Sequence, residues 1–182
     1  MTTSSLTIFT VGHSTHPIDE FIELLRAHGV TQLIDIRTVP KSRHNPQFMQ
    51  DSLEKTMPDA AIRYRYMANL GGLRHTTKES INTAWRNASF RGYADYMQTD
   101  DFAAGIDELI QYTQGQPTAI MCAEAVPWRC HRSMVGDALV VRGGVQVRDI
   151  MTPTSAKPHT LTSFASVDGN RVFYPQENIT TQ

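Results

Sequence analysis

The stretches TIFTVG (residues 7–12) and QLIDIR (residues 32–37) decide the fold, because each is a short apolar run of the kind that forms a buried strand. Between them, apolar residues recur at helical spacing from Ile18 onward. Pro17 favours the start of that helix and Gly29 favours its end. The order of strand, helix and strand predicts a βαβ unit, the building block of a parallel sheet.

Further helices and strands follow toward the C-terminus. A helical stripe that begins at Phe102, with Asp100 as the expected N-cap, precedes a buried strand over residues 118–122. A helix over 130–141 and a strand over 145–150 complete the pattern. We therefore predict a three-layer, Rossmann-like α/β fold with a largely parallel sheet of about five strands.

The middle of the chain is less regular. Residues 47–57 favour a helix and residues 62–67 a strand, whereas the polar residues 71–87 predict a long loop with a helical piece.

We expect one α/β domain over residues 1–151. A C-terminal tail over residues 152–182 is expected to close with a hairpin at its Asp-Gly pair and to pack on that domain.

Composition excludes several classes of protein. The chain has 182 residues, which suits one domain, and 17 Lys and Arg against 18 Asp and Glu give a net charge of −1. That balance excludes a surface that is entirely polycationic, and two cysteines exclude a disulfide-rich secreted scaffold. Because no Lys or Arg precedes Arg26 and the apolar run over residues 6–11 is short, we expect a cytoplasmic protein without a signal peptide or membrane span.

The charge is unevenly distributed. Residues 37–91 hold ten Lys and Arg against four Asp and Glu, a local net charge of +6, whereas the rest of the chain holds seven against fourteen, a net charge of −7. This basic segment is typical of a solvated surface or of a site for an anionic ligand.

Polar residues cluster where the predicted strands end. In open parallel sheets, ligands bind beyond the C-terminal ends of the strands, so residues that follow separate strands are expected to share one edge. The candidates at this edge are His13, Ser14, Asp35, Arg37, Arg43, Cys122, Glu124, Cys130, His131 and Arg132.

The densest cluster is CAEAVPWRCHR (residues 122–132), which contains both cysteines of the chain. A thiol close to a helix N-terminus ionises more easily, and backbone amides there bind anions. We interpret Cys122 as a candidate nucleophile and Glu124 as a candidate acid or base. The alternative is that both cysteines are packed residues of the core.

Two other chemistries are possible for this cluster. Loops of cysteine phosphatases and sulfurtransferases place five residues between Cys and Arg, whereas six separate Cys122 from Arg129, and Glu124 would repel a phosphate. A metal could use these side chains, but the adjacent Cys130 and His131 would point apart on a helix. We therefore predict no bound metal and no cofactor.

Two residues near the first strands have alternative roles. His13 can exchange a proton near neutral pH or can be a hydrogen-bonded loop residue. Asp35 interrupts an apolar strand, where a carboxylate needs a partner, and Arg37 lies on the same side of the strand. Asp35 is therefore either paired internally with Arg37 or one of two carboxylates, with Glu124, that flank a substrate.

Several short motifs in a fixed order resemble the domain of unknown function 488 family. They are VGHS (11–14), IDIR (34–37), LGG (70–72), FRGYADYM (90–97), MCAE (121–124) and CHR (130–132). The resemblance runs from about Ile8 to Ile150 and implies a small cytoplasmic α/β domain, but it supplies no reaction. Asp149 departs from the pattern, because a His is expected before Ile150.

The sequence thus predicts an enzyme, a hydrolase or a transferase, that acts on an anionic substrate such as a phosphate-bearing small molecule, a nucleotide or a nucleic acid. The catalytic candidates are Cys122, Glu124, His13 and Asp35. The residues expected to bind substrate are Ser14, Arg37, Arg43, Cys130, His131 and Arg132. The alternatives are a noncatalytic nucleic-acid-binding module and a thiol redox or metal-responsive protein.

Overall fold

The structure is a computed structural model that describes residues 5–142 and 144–177. Its first half contains β1 (Leu6–Gly12), α1 (Ile18–Ala27), β2 (Gln32–Asp35), α2 (Gln50–Asp59), β3 (Arg63–Tyr66) and α3 (Ala88–Tyr96). Its second half contains α4 (Asp100–Tyr112), β4 (Thr118–Cys122), α5 (Arg132–Val141), β5 (Val145–Thr152), β6 (Ser155–Pro158), β7 (Ser166–Asp168) and β8 (Arg171–Phe173).

Six strands form one sheet in the order β3-β2-β4-β1-β5-β6. The first five are mutually parallel, and β6 pairs antiparallel with β5 at the edge. Helices cover both faces, because β-strands buried on both sides need apolar partners above and below. The predicted three-layer, largely parallel α/β fold is confirmed.

Two hydrophobic clusters lie on opposite faces of the sheet. One face packs against α1 and α2, with Phe21 and Leu53 fully buried. The other packs against α3, α4 and α5, with Tyr93 and Leu139 fully buried. Alternation along each strand sends neighbouring side chains to opposite clusters, as the period of a strand requires.

The strand order creates a crevice at the C-terminal edge of the sheet. Strand β1 leads to α1 on one face, whereas its neighbour β4 leads to α5 on the other face. Where the connections of adjacent strands diverge in this way, an open α/β sheet leaves a ligand crevice. The loops after β1, β2 and β4 therefore meet around one opening.

Several local predictions need correction. The N-cap of α4 is Thr99, whose hydroxyl accepts from the Phe102 amide, and not Asp100. Residues 71–87 contain no helix, whereas α3, which the sequence pattern did not predict, begins directly after them at Ala88 and is capped by Asn87. The sheet also has a sixth strand, β6, because residues after 152 return to pair with β5.

The segment after β5 is held to the sheet and to α5 by a buried polar network. The His159 ring lies between two carboxylates, with its Nε2 2.8 Å from Asp137 and its Nδ1 3.4 Å from Asp149. Thr10 donates to Asp149 at 2.5 Å, and Tyr174 donates to Asp137 at 2.8 Å. Asp149, which stands where the family pattern has a His, is thus paired with Thr10 and His159. The domain boundary after residue 151 stays a prediction.

β7 and β8 form an antiparallel hairpin around Gly169, which has the left-handed φ of 60° that such a turn uses. Within residues 5–142 and 144–177, no helix has the length and apolar character needed to cross a lipid bilayer.

Candidate functional site

A pocket of about 460 Å³ opens at the crevice between the loops. Six of the ten residues singled out from the sequence line it, namely His13, Arg37, Cys122, Glu124, Cys130 and His131. Asp35 and Arg132 are buried and contact lining residues without lining the pocket themselves. Ser14 and Arg43 lie outside the lining; Ser14 is half-buried and Arg43 is exposed.

Asp35 and Arg37 form a buried, two-pronged ion pair beneath the pocket. The Arg37 Nη2 donates to Oδ2 of Asp35 at 2.7 Å and its Nε donates to Oδ1 at 3.0 Å. Tyr64 donates to the same carboxylate at 2.6 Å, and Arg37 also donates to the Phe48 carbonyl at 2.7 Å. Burial opposes the charged form of Arg37, but Asp35 outweighs it and raises the pKa of the guanidinium. Arg37 is therefore a fixed cation.

His13 is held as a neutral ring. It is 3% exposed and stacks on Phe48 with 4.3 Å between ring centroids. Its Nδ1 lies 2.8 Å from the Ser14 carbonyl and its Nε2 lies 3.3 Å from Nη1 of Arg37. A carbonyl can only accept, so Nδ1 carries the proton and Nε2 accepts from Arg37. Burial is the main cause that lowers the pKa of His13 to about 4.

The loop after β1 is fixed against the loop after β4. The His13 and Ser14 amides donate to the carbonyls of Cys122 and Ala123, each at 2.9 Å. Ser14 adopts a left-handed φ of 47°, which turns its carbonyl back toward the His13 ring. A Cβ at Gly12 would overlap the Glu124 carbonyl oxygen, so only glycine allows this close approach.

The two thiols are buried side by side in the pocket wall. Cys122 is 1% exposed and Cys130 is 6% exposed, and neither is in a disulfide. Burial raises the pKa of Cys122, but a hydrogen bond from Cys130 and the charge of Arg132 outweigh it, so the pKa is lowered. The contact with Cys122, followed by burial, raises the pKa of Cys130 well above the ordinary thiol value. Cys122 is thus the thiol that ionises first.

Arg132 is a buried cation without a carboxylate partner among the described residues. It is 1% exposed, and its Nε and Nη1 have no hydrogen-bond partner. Its Nη2 donates only to the Ala125 carbonyl, at 3.4 Å. An unpaired charge in the interior is strongly disfavoured. The charge of Arg132 is one of the causes that lower the pKa of Cys122.

His131 supports the Cys130 thiol. Its Nε2 lies 2.9 Å from the Ile36 carbonyl and therefore carries the proton, which leaves Nδ1, 3.5 Å from Sγ of Cys130, as an acceptor. Burial is the main cause that lowers the pKa of His131 to about 4. The Arg132 amide approaches the same sulfur at 3.4 Å. His131 thus donates through Nε2 to Ile36 and offers Nδ1 as its one acceptor, and its ring is uncharged near neutral pH.

The mouth of the pocket combines cationic and apolar side chains. Lys41, Arg129 and Glu124 are exposed and line it. Sequence reasoning missed Thr38 and Leu73 as lining residues. Thr38 follows directly on Arg37, and its hydroxyl accepts from the amides of Gly72 and Leu73. The LGG motif was therefore the feature of the sequence that could have indicated both lining residues.

The basic segment over residues 37–91 does not form one free cationic surface. Arg65 lies over the ring of Tyr112 at 3.7 Å, and Arg74 lies over that of Tyr96 at 3.6 Å. Arg91 donates to the Trp85 carbonyl at 2.9 Å, and Arg37 forms an ion pair with Asp35. Several of its charges thus stabilise the fold. Among the residues that the structure describes, no group of three or more His, Cys, Asp or Glu is arranged to hold a metal ion.

The fold and the site together define a class of protein: a three-layer α/β protein with a cation-lined pocket and two thiols at the C-terminal edge of its sheet. The chain belongs to the family described as Domain of unknown function DUF488, whose sequence model matches residues 17–139. The resemblance of the sequence motifs to this family is confirmed. No curated protein and no solved structure matches the chain significantly.

Proposed function

We propose that the protein is an enzyme, a hydrolase or a transferase, that uses the thiolate of Cys122 to attack a small phosphate-bearing anion. The observation that carries this proposal is the buried guanidinium of Arg132, which has no carboxylate partner among the described residues and lowers the pKa of Cys122. A cation at this place stabilises a nucleophilic thiolate.

The surrounding residues support binding of an anion. Arg37 lines the pocket, is always charged and uses four of its five N–H groups within the fold, which leaves one Nη1 hydrogen for a ligand. Lys41 and Arg129 add positive charge at the mouth and, with Arg37, outnumber Glu124, the one carboxylate that the described residues contribute to the lining, so they offset its repulsion of a phosphate. Such donors bind phosphate or carboxylate groups.

The reaction proceeds in two steps. The sulfur of Cys122 donates an electron pair to the electrophilic atom of the substrate, and the leaving group departs with its bonding electrons and takes a proton from water. Glu124 then removes a proton from a second water, which attacks the intermediate and releases the thiolate. The protonated Glu124 returns that proton to the hydroxide that the first water left. Another nucleophilic acceptor in place of that water makes the enzyme a transferase.

The ionisation of Cys122 provides the test. The ultraviolet absorbance of the thiolate, followed against pH in the native protein, is expected to show a thiol that ionises below the ordinary value of about 8.5. Cys122→Ser removes this titration and Cys130→Ser retains a Cys122 titration. Arg132→Gln raises the pKa, whereas Arg132→Lys, which keeps the charge, preserves most of the effect. Ionisation at or above about 8.5 in the native protein would overturn the proposal.

The contact between the thiols favours thiol redox chemistry as a second candidate function. A hydroperoxide would oxidise the Cys122 thiolate to a sulfenic acid and release water or an alcohol, and Cys130 would then close a disulfide with loss of water. Peptide mapping after treatment with hydrogen peroxide tests this function. It requires a Cys122–Cys130 disulfide that thiol reductants reverse, and an unmodified pair would exclude it.

A further inference from the structure

A second cavity, of about 520 Å³, lies on the other side of the turn Pro127–Arg129. The chain contains two tryptophans, Trp85 and Trp128, and both line this cavity together with Phe164. Large apolar side chains that stay exposed often mark a binding surface. Trp128 is 65% exposed and Phe164 is 37% exposed, so this cavity has aromatic surface that the fold itself leaves uncovered.

The aromatic wall is rigid. The Trp85 ring is contacted edge-on by Phe90, Phe164 and Tyr174, with centroid separations of 5.1, 4.8 and 5.4 Å. Tyr174 is fully buried and anchored to Asp137. Rings that neighbours hold in place offer stacking surface to a planar ligand at little cost in conformational freedom.

The charge of the cavity suits an anionic ligand. Lys157 lines it and is exposed. Asp149 is the only carboxylate that the described residues contribute to its lining, and it is already bonded to Thr10 and His159. The exposed hydroxyls of Thr160 and Ser163 add hydrogen-bonding groups, which suit a ring with nitrogen and oxygen atoms better than a hydrocarbon ring.

The cavity adjoins the Cys122 pocket on two sides. Trp128 lines the cavity and Arg129, whose Cα lies about 3.8 Å further along the chain, lines the pocket. Trp85 lines the cavity and its partner Phe90 lines the pocket. The two sites therefore share the backbone of one turn and the contact of one aromatic pair.

We propose that the cavity binds the base of a nucleoside monophosphate whose phosphate enters the Cys122 pocket. The inference rests on the proposed function for the position of the phosphate, and it narrows the substrate class of that site to nucleotides. The base stacks between Trp128 and the Trp85–Phe164 wall. Lys157 and Arg129 face the sugar and phosphate side.

Tryptophan fluorescence tests the inference, because both fluorophores lie in the cavity. Adenosine monophosphate is expected to quench the emission saturably, and adenosine to do so more weakly. Inorganic phosphate alone is expected to leave the emission unchanged. Trp128→Ala, read through the remaining Trp85, weakens adenosine monophosphate binding at least about tenfold, the effect of one lost base stack. The matched control Ile81→Ala removes an apolar side chain that is 53% exposed and lies outside both cavities, and it leaves the affinity unchanged.

Absence of quenching by both adenosine and adenosine monophosphate would overturn the inference, as would an affinity that Trp128→Ala does not change. Tight binding of a short oligonucleotide without binding of the mononucleotide would also overturn it. Adenosine has no phosphate and probes the cavity alone, whereas the Cys122 titration probes the pocket alone. A normal Cys122 pKa with intact adenosine quenching would therefore refute only the proposed function.

Discussion

The stability of the protein should fall as pH rises through about 9, because of His159. Burial lowers the pKa of this ring, but the hydrogen bonds and charges of Asp137 and Asp149 outweigh it and raise the pKa from 6.5 to about 9. A raised pKa means that the folded protein binds the proton more tightly than the unfolded chain. The contribution is therefore complete below pH 6.5 and is lost as pH rises toward 9.

The interval between the two pKa values corresponds to at most about 3 kcal/mol of unfolding free energy. Solvent screening reduces this contribution, so we expect the free energy of unfolding to drop by about 2 kcal/mol between pH 6 and pH 9.5. Urea unfolding at the two pH values measures the difference, and NMR titration of the imidazole gives the pKa directly.

His159→Asn is expected to remove this pH dependence, whereas His75→Asn, at an exposed histidine, is expected to retain it. Equal stability of the wild-type protein at both pH values would refute the reasoning, as would an imidazole that titrates near 6.5. If the His159 variant does not fold, the NMR titration of the wild-type protein still decides the question.

Three further predictions concern the site. Asp35→Asn leaves Arg37 buried without its counter-charge and should lower the unfolding free energy by about 3–5 kcal/mol in urea titrations. Tyr64→Phe removes only one hydrogen bond to the same carboxylate and should lower the unfolding free energy by about 1 kcal/mol. The His13 ring should remain neutral in NMR spectra recorded from neutral pH down to about pH 5, because burial lowers its pKa to about 4; a midpoint near 6.5 would contradict the burial of this ring. Gly12→Ala should destabilise the protein by about 1–3 kcal/mol or more in thermal unfolding, because the new methyl group overlaps the Glu124 carbonyl; an unchanged melting temperature would mean that the two loops do not approach so closely.

Much of the architecture could be predicted from the sequence because apolar periodicity and strand-end chemistry are local signals. The first βαβ unit has continuous apolar runs separated by an amphipathic helix, and β4 and α5 flank the loop that contains Cys130. Because ligands bind at the C-terminal edge of such a sheet, the fold class predicted that the residues after these strands share one edge. The Asp35–Arg37 pair was also foreseen as one of two alternatives, since residues two apart on a strand face the same way.

The helix α3 could not be predicted from periodicity because a polar residue occupies its buried face. Asp95 is 8% exposed and accepts hydrogen bonds from Thr77, Ser80 and Asn82 in the loop before the helix. The carboxylate organises that loop while interrupting the apolar stripe that marks a helix. Arg132 presents the same difficulty, since the sequence contains nothing that distinguishes a buried arginine from an exposed one.

The region that the family match covers is shorter than the unit that folds, because β1 lies outside that region but at the centre of the sheet. The family match begins at residue 17, after β1 has ended, and closes at residue 139, before β5 begins. Yet β1 lies between β4 and β5 and hydrogen-bonds to both. A fragment cut to the matched residues would expose the inner edge of β4, a row of unpaired backbone groups that invites aggregation. Recombinant expression therefore needs the strands on either side of the recognisable family region.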